Sequence, residues 1–180
     1  NNLFVIEDAA HAPGAKLDGK MLGTIGDIGC FSFFSNKNLV TGEGGMIVTN
    51  NDKMAEDIKR KRSHGMTSLS WDRHKGHAFS YDVTTLGYNY RTGNINSALG
   101  LCQLKKLKHN NNIRKELANL YKKCLVKVDF LDIPFKKYNG SSSYHIFPVL
   151  LNKKTDREKF MEFLKSKGIQ TSIHYPPIHL

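Results

Sequence analysis

Short apolar runs separated by polar, glycine-containing breaks organise the first third of the chain. Residues 3–6 (LFVI) predict a short buried strand ending at Glu7-Asp8. Residues 28–34 (IGCFSFF) and 45–49 (GMIVT) predict two more, each bounded by glycine. Asn51 or Asp52 caps a helix that runs to about residue 62, with Met54, Ala55 and Ile58 on its inner side. Residues 63–86 are polar and show little periodicity, and loops of that length inside a compact domain are usually functional or mobile. A helix is expected from about residue 93 through INSALGLCQLKKL. A second is expected over 111–126, where Ile113, Leu117, Leu120, Tyr121 and Cys124 recur at helical spacing.

Beyond that point the pattern changes. FLDI and YHIFPVLL are strand-like and flank a turn, KYNGSSS. A helix over DREKFMEFLKSKG follows, closed by Gly168, and IQTSI predicts a final strand. The expected division is therefore 1–127 and 128–180, with the long helical segment as connector. No internal repeat or low-complexity tract interrupts this order.

Composition narrows the picture. With 180 residues, 39% of them hydrophobic, the chain can build one packed domain and an appendage. No apolar run approaches the roughly 20 residues of a membrane-spanning helix, and no signal-peptide pattern is present. The chain opens almost inside an apolar strand and stops at HYPPIHL, as expected of a piece of a longer protein. Cys30, Cys102 and Cys124 are odd in number and widely spaced, which points to a reducing, cytoplasmic setting. In that setting the glycosylation-like Asn139-Gly140-Ser141 is an accidental match. His64, His74 and His77 lack the paired cysteines or carboxylates of a zinc site. The net charge of +11 would suit an anionic partner. The basic residues are spread along helices, however, without interleaved stacking aromatics, and so describe a solvated face rather than a nucleic-acid site.

The chemistry gathers around FSFFSNKNL, residues 31–39. Asp8 directly follows the first strand, where ligand sites of open α/β sheets lie, although such an aspartate also serves as a simple cap. His11 is three residues further on. Ser32 lies inside the aromatic run, Lys37 just past it, and GEGG (42–45) lets the chain turn sharply beside the lysine. A lysine amine attacks carbonyl carbon only when neutral, and a carboxylate on a pyridinium nitrogen is the other half of pyridoxal phosphate chemistry. Spacing permits this chemistry without selecting it.

A resemblance selects it. EDAAHAPGA, GDIGCFSFFSNKNLVTGEGGMIVTN, RSHG and LGYNYRTGNINSALGLCQLKKL, in that order, resemble the DegT/DnrJ/StrS-type sugar aminotransferases. The likeness is close over about residues 3–107, and the remainder resembles the family's C-terminal lobe. It implies an α/β fold: the three-layer αβα portion of a fold-type I aminotransferase large domain, followed by a smaller α+β C-terminal lobe. By the same resemblance Lys37 matches the lysine that bonds pyridoxal phosphate and later shuttles a proton, and Asp8 matches the aspartate on the pyridine nitrogen. His11 matches the residue that packs on the cofactor ring, and Ser32 a phosphate-binding serine. Asn89 matches an asparagine that reaches the cofactor phosphate of the neighbouring subunit in a homodimer. His174, Tyr175 and His179 are candidates for the substrate pocket.

The implied reaction moves an amino group, from L-glutamate in most of the family, to a nucleotide-linked keto-sugar. The dehydratases of the same family carry histidine in place of the lysine, so Lys37 argues against that activity. A non-catalytic protein on the same scaffold would be marked by loss of Lys37 or Asp8, and both are present. The family's usual acidic residue and Gln after GYNYR are replaced here by Thr92-Gly93-Asn94-Ile95-Asn96, and its N-terminal half, with the phosphate loop and ring-stacking aromatic, has no counterpart.

Overall fold

The computed structural model describes residues 2–68, 75–76, 80–136, 138–173, 175 and 178–179. They form two compact units, Asn1–Leu117 with Tyr138–His145, and Ala118–Lys137 with Ile146–Leu180. The α/β class expected from the sequence is what the chain adopts.

In the first unit, β1 (Ile6–Asp8), β4 (Ile28–Ser32) and β5 (Gly45–Val48) form a sheet in the order β1-β4-β5. β1 runs parallel to β4, with Ile6, Glu7 and Asp8 opposite Ile28, Gly29 and Cys30; β5 is antiparallel to β4. The first strand is thus later than expected. Leu3, Phe4, Val5 and Ile6 are 75%, 56%, 48% and 62% exposed, so LFVI is not a buried strand in this chain. Among the described residues β1 is an edge strand paired only with β4, and its one apolar side chain, Ile6, stays exposed.

Two short strands, β2 (Lys16–Leu17) and β3 (Lys20–Met21), form a hairpin that the hydrophobic pattern does not announce. The distant β7 (Gly140–Ser141) pairs with β2, so part of the expected KYNGSSS turn is sheet. α1 (Asp52–Lys61) starts as expected, with the Asn51 side chain accepting the Met54 N–H at 3.0 Å. Met54, Ala55 and Ile58 are half-buried on its inner side. The two helices expected after residue 93 are one, α2 (Asn94–Leu125), 32 residues long. The polar run HNNN has low helix propensity but lies inside it, and Asn111 spends its amide on tertiary contacts instead of breaking the helix.

The second unit contains the hairpin of β6 (Leu131–Asp132) with β8 (Leu150–Leu151) and α3 (Arg157–Ser166). Asp156 caps α3 by accepting the Lys159 N–H at 3.1 Å, and Gly168 follows its end at φ 77°. Phe130 packs edge-on against Phe160, with ring centres 5.7 Å apart. The strands are shorter than FLDI and YHIFPVLL suggest. Tyr144 takes φ 52°, outside the β region, and Pro148 has no N–H for a ladder. IQTSI is not a strand: no described segment pairs with residues 169–173.

Candidate active site

Because β1 and β4 are parallel, their carboxyl ends lie on the same edge of the sheet. Asp8 closes β1 and Ser32 closes β4. Asp8 is opposite Cys30, two residues before Ser32, so the strand alternation places Asp8, Cys30 and Ser32 on one face. Glu7, Gly29 and Phe31 take the other.

That other face is closed by the chain's own backbone. Gly29 approaches Gly23 so closely that a Cβ on Gly29 would lie 1.9 Å from the Gly23 carbonyl oxygen. The Glu7 carboxylate accepts three backbone N–H groups there, Gly23 at 2.7 Å, Ile25 at 2.6 Å and Gly26 at 2.6 Å. These bonds, Gly26 foremost, hold the Glu7 carboxyl below its ordinary value of 4.5, against partial desolvation, which raises it. Glu7 is saturated. On the opposite face the Asp8 carboxylate accepts only the Ala10 N–H, at 3.1 Å through Oδ1, and its Oδ2 has no hydrogen bond among the described residues. Ser32 Oγ accepts the Phe34 N–H at 3.3 Å, which leaves its hydroxyl proton available to a ligand.

Past β4 the chain folds into a compact loop. Lys37 N–H donates to the Phe34 carbonyl at 3.0 Å, Thr41 N–H to Phe33 O at 2.9 Å, and Phe33 N–H to Gly44 O at 2.9 Å. The GEGG segment bends as expected, with Gly42 and Gly44 at positive φ. The buried Thr41 is held in turn by α2, where Asn96 Nδ2 donates to its carbonyl at 2.6 Å. Asn96 belongs to the Thr92–Asn96 segment that departs from the expected pattern, and this bond is what it does here. Lys37 is half-buried on the loop, and its ammonium group joins no ion pair among the described residues. Asp8 and Ser32 therefore end at one edge of one sheet, and Lys37 lies on the loop that leaves that edge.

A polar network that the sequence does not reveal lies beneath this edge. Asn38, 6% exposed, donates through Nδ2 to Asn111 Oδ1 at 3.0 Å and to the Ser143 carbonyl at 2.7 Å. Its Oδ1 is 3.0 Å from His145 Nδ1. Asn111 Nδ2 donates to Pro13 O at 2.9 Å, and the Ser143 hydroxyl donates to His11 O. Gly14 makes room for this: at φ 86° it occupies a glycine-favouring conformation, and a Cβ there would lie 2.7 Å from Asn111 Nδ2. His11 is half-buried, with its ring 4.1 Å from that of His145. The only hint in the sequence is an asparagine cluster in the middle of an otherwise helical pattern.

Asn89 is not part of this edge. Its segment is tied to the residues after α1 through a bridge to Ser63 and through bonds from His64 N–H to Tyr88 O and from Tyr90 N–H to Arg62 O, each 2.9 Å. Tyr175 and His179 are exposed residues of the second unit, and His174 lies outside the described residues, as do His74 and His77. No group of described residues could hold a metal ion, and no described helix is long and apolar enough to cross a membrane.

Residues 1–180 match the profile of the DegT/DnrJ/EryC1/StrS aminotransferase family. Among curated proteins the chain is 41% identical to an uncharacterized protein of Methanocaldococcus jannaschii, over 99% of this chain and 47% of that one. It is 35% identical to the spore coat polysaccharide biosynthesis protein SpsC of Bacillus subtilis, over 100% of this chain and 48% of the relative. It is 38% identical to the UDP-4-amino-4,6-dideoxy-N-acetyl-beta-L-altrosamine transaminase of Campylobacter jejuni, over 99% and 46%. Among solved structures it resembles Helicobacter pylori PseC, an aminotransferase of pseudoaminic acid biosynthesis, with TM-score 0.86 and 33% identity over 97% of this chain and 46% of that one. The PLP-form of Spr1654 from Streptococcus pneumoniae, a protein named as a putative sugar aminotransferase, superposes with TM-score 0.84 at 25% identity, over 97% of this chain and 44% of that one. The chain spans about half the length of the relatives it matches.

Proposed function

The chain belongs to the DegT/DnrJ/EryC1/StrS aminotransferase family, and on that premise we propose that it carries the lysine half of a pyridoxal phosphate-dependent sugar aminotransferase site. What supports the reading is the edge where β1 and β4 end: among the described residues Asp8 keeps an oxygen and Ser32 a proton without a partner, and Lys37, in no ion pair among them, lies on the loop that leaves β4. That donor set fits the cofactor, which presents an aldehyde carbon, a ring nitrogen and a phosphate. When bound, pyridoxal phosphate supplies an electron sink that stabilises negative charge at the substrate carbon.

Lys37 would hold the cofactor covalently and, once displaced, carry a proton at the reacting carbon, a task for a single base on a mobile stem. Asp8 would hold a proton on the ring nitrogen through its free oxygen. Ser32 would donate its hydroxyl proton to the phosphate, and His11, backed by His145, would pack on the ring. Asn89, whose segment is tied to the residues after α1, would serve the phosphate of a neighbouring subunit in a homodimer. The amino donor is L-glutamate, and the acceptor is a nucleotide-linked keto-sugar of amino-sugar or cell-surface polysaccharide synthesis. Likeness to a transaminase named for a UDP-linked sugar supports that class of acceptor. Tyr175, His179 and His174 stay candidates for contacts to it. The three free cysteines accord with a cytoplasmic setting.

The test is borohydride reduction of the intact protein after incubation with pyridoxal phosphate, followed by peptide mass spectrometry. The pyridoxyl group should be on Lys37 and be lost in Lys37→Ala. A label on another lysine overturns the assignment.

A further inference from the structure

We propose that Asn38 is a positioning residue for the reaction: it fixes the loop that presents Lys37 by tying it to α2, to the 143–145 segment and, through Asn111, to the loop after β1. The inference rests on Lys37 being the reactive lysine. Asn38 is the next residue in the chain, buried, and its side chain bonds three partners from two distant segments, each at 2.7–3.0 Å. Both of its N–H groups are used, so its oxygen is the acceptor and His145 Nδ1 must be the donor. The buried network is satisfied at Asn38, and satisfied buried networks specify one geometry.

The consequence reaches both sides of the candidate site. Asn111 connects Asn38 to the Pro13 carbonyl, Ser143 connects it to the His11 carbonyl, and His145 stacks on the His11 ring. Lys37 and His11 come from loops after different strands, and Asn38 is the group they have in common. No backbone ladder joins these two loops. Without the amide, the Lys37 loop keeps its local bonds to Phe34 and Phe33 but loses its registration against the 8–15 loop. A displacement of about 1 Å in a reacting group costs on the order of 100-fold in rate.

The experiment uses the intact protein loaded with pyridoxal phosphate. Borohydride labelling counts the sites with cofactor on Lys37, and a single-turnover half-reaction with L-glutamate gives the rate per labelled site. Asn38→Ala should keep the label on Lys37 while lowering the rate per site by about 10- to 100-fold, with the KM for glutamate changed less than about threefold. A purely structural role would reduce the number of labelled sites and leave the rate at each one unchanged. If Asn38→Ala does not fold, Asn111→Ala removes one of the three partners together with the bond to Pro13, and should lower the rate per site by at least about fivefold, the equivalent of one hydrogen bond. A parent labelled on Lys37, with a rate per site within about twofold in whichever variant folds, overturns the proposal alone. A parent labelled elsewhere overturns the functional reading and this proposal with it.

Discussion

Removing the Glu7 carboxylate tests whether the floor of the site is built as described. Glu7→Ala leaves the N–H groups of Gly23, Ile25 and Gly26 without their acceptor. Ile25 is exposed and its N–H can turn to water, whereas Gly23 is buried and Gly26 half-buried. Hydrogen bonds to a charged group contribute about 1.5–3 kcal/mol each. Counting the two less exposed bonds and discounting for incomplete burial gives roughly 2–4 kcal/mol of local stability. At about 1.36 kcal/mol per decade, amide exchange over residues 22–27 should accelerate by about 30- to 900-fold. Glu7→Gln should be intermediate, because its carbonyl can accept the Ile25 and Gly26 N–H groups while its NH2 opposes that of Gly23. The pH dependence has a definite sign. The folded-state carboxyl is held below 4.5, so the stabilisation is complete above the unfolded-state value and is lost as pH falls through the folded one. The gap between parent and Glu7→Gln should therefore be widest near neutrality and close in acid. Hydrogen–deuterium exchange read by mass spectrometry measures both effects. Unchanged exchange at 22–27 in Glu7→Ala, or a gap that widens in acid, would refute the clasp.

Asp8→Asn should lower turnover far more than cofactor affinity, since the charge it removes matters most when negative charge builds on the substrate carbon; equal turnover in the parent and a cofactor-loaded variant would make Asp8 structural. Mixing Lys37→Ala with Asn89→Ala should restore part of the activity through hybrid dimers, each with one intact site. No recovery after verified subunit exchange would count against a shared site.

How much was readable in advance depended on whether the signal was local. The strands at 28–32 and 45–48 and the two capped helices follow from periodicity and a single capping side chain, so their placement needs no distant partner. By the same reasoning Asp8 is placed at the end of a strand and Lys37 just past one, whereas Ser32, expected inside its strand, is the residue that ends it. The failures are non-local. LFVI looks buried because it is apolar, but burial requires a neighbour, and β1 is an edge. The HNNN run looks like a break because asparagine favours turns, and nothing nearby shows that Asn111 will meet Asn38, 73 positions away. The pairing of β2 with β7 spans more than a hundred residues and involves two residues on each side, too few for a pattern. IQTSI alternates like a strand, yet without a partner among the described residues the alternation has nothing to pair with.

A common logic links the two adjacent pairs at the site. Glu7 and Asp8 are neighbours in a strand and so face opposite ways. Glu7 commits both oxygens to backbone N–H groups, while Asp8 keeps one oxygen free. Asn38 and Lys37 are neighbours in a loop. Asn38 commits its whole amide to three partners, while the Lys37 amine is in no ion pair among the described residues. In each pair the saturated residue fixes the backbone from which the unsaturated one projects. The unsaturated side chain can then be held in place without spending its own hydrogen-bonding capacity, as a group kept for a ligand requires. Polar capacity left over beside polar capacity fully consumed is therefore the feature that Asp8 and Lys37 have in common.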